Sequence, residues 1–187
     1  MKLSISKAIG FNATVLALGL ASLTASAASS SNATPFGLEI GVATCDGARA
    51  KLGQVGETKL DGSDALLTAA TPSAIYEGAS KAVVRCSDGK VIAVQIEAPK
   101  GGMGNGGSRD VYANLSKKYK LVAGGSMPQL GNGYARFASG SSIIEQDSPH
   151  LSFVFTLTYY EKSFYDSIVA SKKDKDKKAR EKKETSL

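Results

Sequence analysis

The segment KAVVRCSDGKVIAVQIE, residues 81–97, carries the strongest local structural signal in the chain. Two runs rich in β-branched residues flank Asp88 and Gly89, a dipeptide typical of a tight hairpin turn. Apolar and polar residues alternate through both runs, as they do in strands with one buried face. The segment therefore predicts a β-hairpin, and with it an antiparallel sheet.

The register of this hairpin depends on the turn. A two-residue turn would pair Cys86 with Val91 and divide the apolar side chains between the two faces. A three-residue loop, with Gly89 left-handed in a bulge, would pair Val84 with Ile92 and gather the apolar side chains on one face. We favour the second register, which points Cys86 toward the core.

The N-terminus has the features of a secretory signal peptide. Lys2 and Lys7 precede an apolar run, residues 13–23, that is too short to span a bilayer comfortably. The small residues 25–27 offer a cleavage site after Ala27. An uncleaved anchor is the alternative, but Asn12 interrupts the apolar stretch and no basic stop-transfer cluster follows. We expect an exported, periplasmic or secreted chain with no transmembrane span after cleavage.

Export determines how the two cysteines are interpreted. Cys45 and Cys86 are an even pair, and in an oxidising compartment a disulfide is the default. Two buried free thiols are an alternative. A metal pair is the weakest one, since a site needs three or four ligands and His150 is the only histidine. Thr44 can cap a short helix that carries Cys45 and ends at Gly53.

Charge is concentrated at the C-terminus. Residues 171–187 hold eight basic groups against four acidic ones, whereas residues 28–170 are balanced. We therefore expect no nucleic-acid surface on the folded body, and at most a weak contact between the tail and an anionic surface. The basic residues of the tail are Lys172, Lys173, Lys175, Lys177, Lys178, Arg180, Lys182 and Lys183.

The glycine-rich stretch 101–107 contains the spacing of a dinucleotide-binding loop. Its context does not fit that function, since Pro99 and Lys100 separate it from the preceding strand and no parallel unit is evident. We interpret it as a flexible linker, and we expect no cofactor.

The second half repeats the first in outline. Ser108 can cap a helix that runs to about Tyr119. A hairpin around Gly140 follows. The alternating apolar residues from Leu151 to Tyr159 then predict the strongest strand of the chain, and a final helix opens near Glu161 and can continue into the tail.

These elements predict an α+β fold in which two halves, each a helix plus an antiparallel sheet, pack as one domain with a charged C-terminal helical tail. The boundaries are a signal peptide at 1–27, a disordered lead-in at 28–35, an α+β domain at 36–170 and the tail at 171–187. Within the domain, the halves are 36–100 and 108–170, joined by the linker 101–107.

Residues 40–53, IGVATCDGARAKLG, resemble the opening helix of small envelope proteins with a beta-lactamase-inhibitor-like or outer-membrane-assembly-lipoprotein-like fold. Residues 131–159 resemble uncharacterised bacterial exported proteins. The first resemblance implies a binding or inhibitory role without catalysis, and no functional residue is carried over from it.

Catalytic signatures are sparse. There is no nucleophile elbow, and His150 is the sole imidazole base. The alternative function is a small envelope hydrolase that uses Ser148 and His150. His150 follows Pro149 at a strand entrance, however, where a histidine is usually a turn residue. Glu145 and Asp147 share a strand face, but the sequence does not show what they approach.

The leading hypothesis is a non-catalytic exported binding or interaction protein, an inhibitor or an envelope-assembly accessory, whose partner is another envelope protein. We expect its surface to include Tyr134, Arg136, His150 and Tyr160. Exposed aromatic residues around a concave face would favour binding, whereas His150 beside a serine and an acid would favour hydrolysis.

Overall fold

The structure is a computed structural model that describes residues 31–102 and 104–184. The predicted signal peptide, residues 28–30 of the lead-in and residues 185–187 of the tail lie outside these ranges. The helices are α1 (Cys45–Leu52), α2 (Gly106–Lys118) and α3 (Lys162–Glu184). The strands are β1 (Val55–Lys59), β2 (Ala65–Ala69), β3 (Lys81–Ser87), β4 (Lys90–Pro99), β5 (Lys120–Gly124), β6 (Gly133–Ser139), β7 (Ser142–Ser148) and β8 (Val154–Glu161).

All eight strands form one antiparallel sheet in the order β1-β2-β3-β4-β8-β7-β6-β5. Each half contributes a helix followed by four strands, in agreement with the predicted α+β class. The two halves meet where β4 pairs with β8, from Ala93 opposite Tyr160 to Pro99 opposite Val154. The expected sheets of the two halves are therefore one continuous sheet, with β1 and β5 at its edges.

The β3–β4 hairpin corrects our predicted register. Asp88 and Gly89 both have positive φ, 48° and 74°, and form a two-residue turn, so Cys86 pairs with Val91. A bulge beyond that pair then shifts the register, and Val84 pairs with Val94 rather than with Ile92. The buried apolar side chains still share one face, and Cys86 is among them. The register shift that makes this possible lies within the strand instead of at the turn.

Helix α1 begins and ends as the sequence predicts. The Thr44 hydroxyl accepts a hydrogen bond from the Gly47 N–H at 3.1 Å, and Gly53 ends the helix with a φ of 71°. The predicted disulfide between Cys45 and Cys86 is present, with Cα atoms 5.9 Å apart. It links α1 to β3 across the core.

The core lies on one face of the sheet. Its buried residues come from alternate positions of the strands, from α1 and α2, and from the segment before α1. The largest fully buried apolar side chains are Phe137, Phe155, Ile40, Leu67, Ile96 and Ile144. Among the described residues, the opposite face has no such cover except at the start of α3.

Residues 31–35 differ from the expected disordered lead-in. Ala33 is fully buried, and its N–H donates to the Ser142 hydroxyl at 3.0 Å. The Asn32 side chain accepts from the Ser141 N–H at 2.8 Å. These contacts tie the segment to the β6–β7 turn, which a composition rich in Ser, Ala and Asn does not reveal.

The expected flexible linker is also partly structured, since Gly106 and Gly107 form the first turn of α2. Ser108 is therefore not a cap. It is fully buried inside the helix, and its hydroxyl lies 3.0 Å from the donating Nε2 of Gln146 on β7. The strand predicted from Leu151 begins only at Val154, so Leu151 and Phe153 lie in the preceding loop.

Candidate binding face on the open side of the sheet

Two polar rows cross the uncovered face of the sheet. Strand register places Thr158 opposite both Gln95 and Glu145. The next row places Asp147 opposite both Thr156 and Tyr134. Because side chains two residues apart on a strand share a face, both rows point away from the core. The result is a hydrogen-bonding surface that draws on both halves of the chain.

A shallow cavity of about 370 Å³ lies over these rows. It combines two phenol rings, two carboxylates, two threonine hydroxyls and one amide, which is a lining suited to orienting a polar group. The lining residues are Gln95, Tyr134, Glu145, Asp147, Thr156, Thr158 and Tyr160.

Glu145 organises one side of this cavity. Its Oε1 accepts hydrogen bonds from the Tyr134 phenol at 2.5 Å, the Arg136 Nε at 3.0 Å and the Tyr165 phenol at 3.0 Å. Tyr165 belongs to α3, so the carboxylate also anchors that helix to the sheet. Its charge is already matched by the Arg136 guanidinium.

The phenols around Glu145 are held in their protonated form. Burial, followed by the hydrogen bond to Glu145, raises the pKa of Tyr165 to about 12. The same two causes raise the pKa of Tyr134 above its ordinary range, and burial raises the pKa of Tyr160. All three phenols therefore remain neutral hydrogen-bond donors at neutral pH.

Asp147 is the second carboxylate of the cavity. It is exposed, and in the part of the chain that the structure describes it makes no direct hydrogen bond or ion pair, although its charge acts on the buried Lys100 ammonium. Its neighbours across the strands are Tyr134 and Thr156. A carboxylate beside an aromatic ring and a hydroxyl can receive a cationic group.

Three of the four residues expected from sequence come together here. Arg136 lies over the Tyr134 ring, 5.7 Å from its centroid, and the Tyr160 ring lies 5.5 Å from that of Tyr165. His150 does not join them. It occupies the turn after β7, where its N–H donates to the Asn132 side chain at 2.7 Å.

The sequence analysis missed part of the cavity. Gln95 and Tyr165 come from distant segments, and no local pattern connects them with Glu145. Thr156 and Thr158 alternate with the buried Phe155 and Leu157, and that alternation is the signal that could have placed them on the open face.

Ser148 and His150 are not arranged as a nucleophile and its base. Ser148 is fully buried, and its hydroxyl donates to the Asn105 side-chain oxygen at 2.8 Å. A catalytic serine needs its hydroxyl within reach of the imidazole and open to substrate. The geometry gives the alternative hydrolase no support.

Two further properties concern only the described ranges, 31–102 and 104–184. No group of three or more His, Cys, Asp or Glu side chains is placed to hold a metal ion. No helix in these ranges is long and apolar enough to cross a membrane.

In comparisons with protein-family models, with curated proteins and with solved structures, nothing matches this chain.

Proposed function

We propose that this protein is an exported, non-catalytic binding protein that engages its partner through the open face of the sheet. The observation that supports the proposal is the cavity over β4, β6, β7 and β8, which is lined by hydrogen-bonding groups and contains the exposed Asp147 carboxylate. An antiparallel sheet commonly exposes one face to solvent, and convergent polar groups in a cavity are the usual means of orienting a ligand.

The chemistry of the cavity favours a cationic group on the partner. Asp147 supplies the charge, Tyr134 an aromatic surface and Thr156 a hydroxyl. A lysine or arginine side chain of another envelope protein fits these groups, because a hydrogen bond to a charged group contributes about 1.5 to 3 kcal/mol. Both an inhibitor and an assembly accessory would use such a contact.

The disulfide supports an exported location. Structural disulfides persist in oxidising compartments and are rare in the cytosol. Together with the signal-peptide features of residues 1–27, the bond between Cys45 and Cys86 favours the periplasm.

The tail offers a second and weaker contact. Helix α3 continues past the sheet, and its residues from 170 to 182 are exposed. Its excess of lysine favours an anionic lipid surface or an acidic partner, with an attraction that salt screens.

Site-specific photocrosslinking in the bacterial envelope tests the open face. A photoreactive phenylalanine analogue in place of Tyr134 should give one discrete adduct. The matched control places the same analogue at Thr58, which is exposed on the edge strand β1, and should give none. The adduct should disappear when Asp147→Lys is added. Equal adducts at both positions, or an adduct insensitive to Asp147→Lys, would contradict the proposal.

A further inference from the structure

Three segments converge at the end of the sheet where β4 finishes and β8 begins. They are residues 100–102, 104 and 105 after β4, residues 125–132 between β5 and β6, and residues 149–153 between β7 and β8. We call their shared surface the apolar tip. The Lys100 N–H donates to the Phe153 carbonyl at 2.9 Å, and the Asn105 N–H donates to the Gln129 carbonyl at 3.0 Å. The three segments therefore form one connected surface.

The apolar tip exposes large hydrophobic side chains. Leu130, Leu151 and Phe153 are 65%, 91% and 76% exposed, and Leu151 and Phe153 are the most exposed large hydrophobic residues of the described ranges. Exposed hydrophobic residues that occur singly need no explanation, but three on adjoining loops indicate an interaction surface.

Exposed charge is missing from the same surface. The three segments contain no Asp, Glu or Arg. Their one lysine, Lys100, is only 1% exposed, and its ammonium donates to the Pro149 carbonyl. His150 is the only other titratable group in them. Apart from His150, an acidic or basic partner would find no ionisable side chain to pair with here, whereas an apolar medium would meet little desolvation cost from ions.

Several backbone groups of the tip are also hydrogen-bonded internally. The Asn105 side-chain amide, in a residue 2% exposed, donates to the Pro128 carbonyl at 2.8 Å and to the Gly131 carbonyl at 3.0 Å. The Asn132 side chain accepts from the His150 N–H. Backbone polar groups in loops usually form hydrogen bonds with water. In a lipid environment, each backbone group without a hydrogen-bond partner costs free energy.

We propose that the apolar tip inserts into the interfacial region of a lipid bilayer. Entry into the boundary between headgroups and acyl chains requires protruding apolar side chains, little exposed charge and loop carbonyls that are hydrogen-bonded within the protein. The tip has Leu and Phe side chains that protrude, no exposed Asp, Glu, Lys or Arg, and several loop carbonyls with internal hydrogen bonds. The contact is distinct from the open sheet face, which suits a cation, and from the tail, which suits an anion. It should therefore be insensitive to salt, unlike binding through the tail.

The chain contains no tryptophan, so Phe153→Trp introduces a unique fluorescent probe at the tip. We would titrate this variant of the exported chain with vesicles of phosphatidylcholine, which carry no net charge, at low and at high salt. The emission should shift to the blue equally at both salt concentrations. The matched control is Val42→Trp, since Val42 is 56% exposed and lies beside Val91 at the opposite end of the sheet. The control emission should not shift.

A second pair of variants measures the contribution of the side chains. Leu151→Ser should lower partitioning into the vesicles about tenfold, since burial of one such side chain is worth a factor of this size. Val42→Ser should leave partitioning unchanged. Circular dichroism would check that both variants fold.

Three outcomes would overturn the proposal. One is the absence of a blue shift with Phe153→Trp. Another is a shift that high salt abolishes, which would assign the binding to the tail. The third is a concentration-dependent dimer that Leu151→Ser disperses, which would show that the tip is covered by a second copy of the chain.

Discussion

Glu145 is the residue on which the open face depends, because one carboxylate oxygen receives donors from β6 and from α3. Replacing it with an amide removes the negative charge while keeping the size of the side chain. The donors from Tyr134, Arg136 and Tyr165 would then compete for a weaker acceptor. The loss of stability would come from the carboxylate of Glu145 and not from the strand that carries it. A matched substitution on the same strand can separate the two.

We predict that Glu145→Gln lowers the free energy of unfolding by about 1 to 2 kcal/mol, a value discounted for the partial exposure of the pair with Arg136. Asp147→Asn makes the same chemical change two residues away on the same face. It should cost less than about 0.5 kcal/mol, because Asp147 is exposed and makes no direct hydrogen bond or ion pair with the described residues. Urea denaturation measures both, and equal losses would contradict the assigned role of Glu145.

Tyr165 predicts a specific pH dependence. Its pKa is raised to about 12 in the folded protein from an ordinary value of 10.0. A raised pKa means that the stabilisation is complete below about pH 10 and is lost as the pH rises toward about 12. The stability difference between the wild type and Tyr165→Phe should therefore shrink across this window. Urea denaturation at several alkaline pH values would show it, and a constant difference would contradict the assignment.

At the scale of the element, α1 is a short helix with one covalent link to the sheet. It has eight residues, of which three are buried, namely Cys45, Ala48 and Leu52, and a helix of this length is not stable by itself. The disulfide to β3 closes a sequence separation of 41 residues.

We predict that the double substitution of Cys45 and Cys86 by alanine lowers the free energy of unfolding by about 4 kcal/mol. This is the chain-entropy value for a loop of this length. In unreduced protein, neither thiol should react with an alkylating reagent, as mass spectrometry can determine. Alkylation of both cysteines in exported material would contradict the bond.

Helix α3 combines an anchored start with an exposed continuation. Tyr165 bonds to Glu145, and Phe164 lies under the Arg85 guanidinium, 4.7 Å from ring centroid to Cζ. Residues 171–182 are exposed.

Deleting residues 171–187 should therefore leave the thermal midpoint nearly unchanged while removing the salt-sensitive part of the binding to vesicles that contain phosphatidylglycerol. Each basic residue contributes about 1 kcal/mol near an anionic surface, before the acidic residues of the tail are discounted. Calorimetry and vesicle sedimentation at low and high salt measure the two effects. Salt-sensitive binding that survives the deletion would place the electrostatic contact on the body and contradict this role of the tail, whereas binding that salt does not change is the part expected from the apolar tip.

At the scale of the whole molecule, the two halves share one sheet. Seven residue pairs join β4 to β8, and the cavity of the open face takes Gln95 from one half and the rest of its lining from the other. A separated half would expose a strand that is central in the intact sheet, and its core would be small.

We predict a single cooperative unfolding transition by calorimetry, and no independent folding of residues 31–100. Agreement between the calorimetric and van't Hoff enthalpies would support a single cooperative unit. Two well-separated transitions would mean that the β4–β8 pairing does not couple the halves.

Local patterns were sufficient for many of the elements. Alternation predicted the hairpins of β3–β4 and β6–β7, the Thr44 cap and Gly53 predicted α1, and the cysteine pair with an export signal predicted the disulfide. The hairpins and α1 depend on neighbours a few residues away, and the disulfide depends on the compartment. A sequence contains the signals for both.

Other features depend on contacts between distant segments. The edge strand β1 has an almost wholly exposed pattern, so it forms because β2 offers a partner and not because its residues favour a strand. The apolar pattern required a bulge in β3–β4 and predicted it at Gly89, whereas the structure has it within the strands, between Arg85 and Cys86. Leu151 and Phe153 continue the alternation of β8, yet both are exposed, because no other described segment covers them at this end of the sheet. Hydrophobic periodicity indicates which residues could be buried together, whereas burial itself requires another segment to cover them.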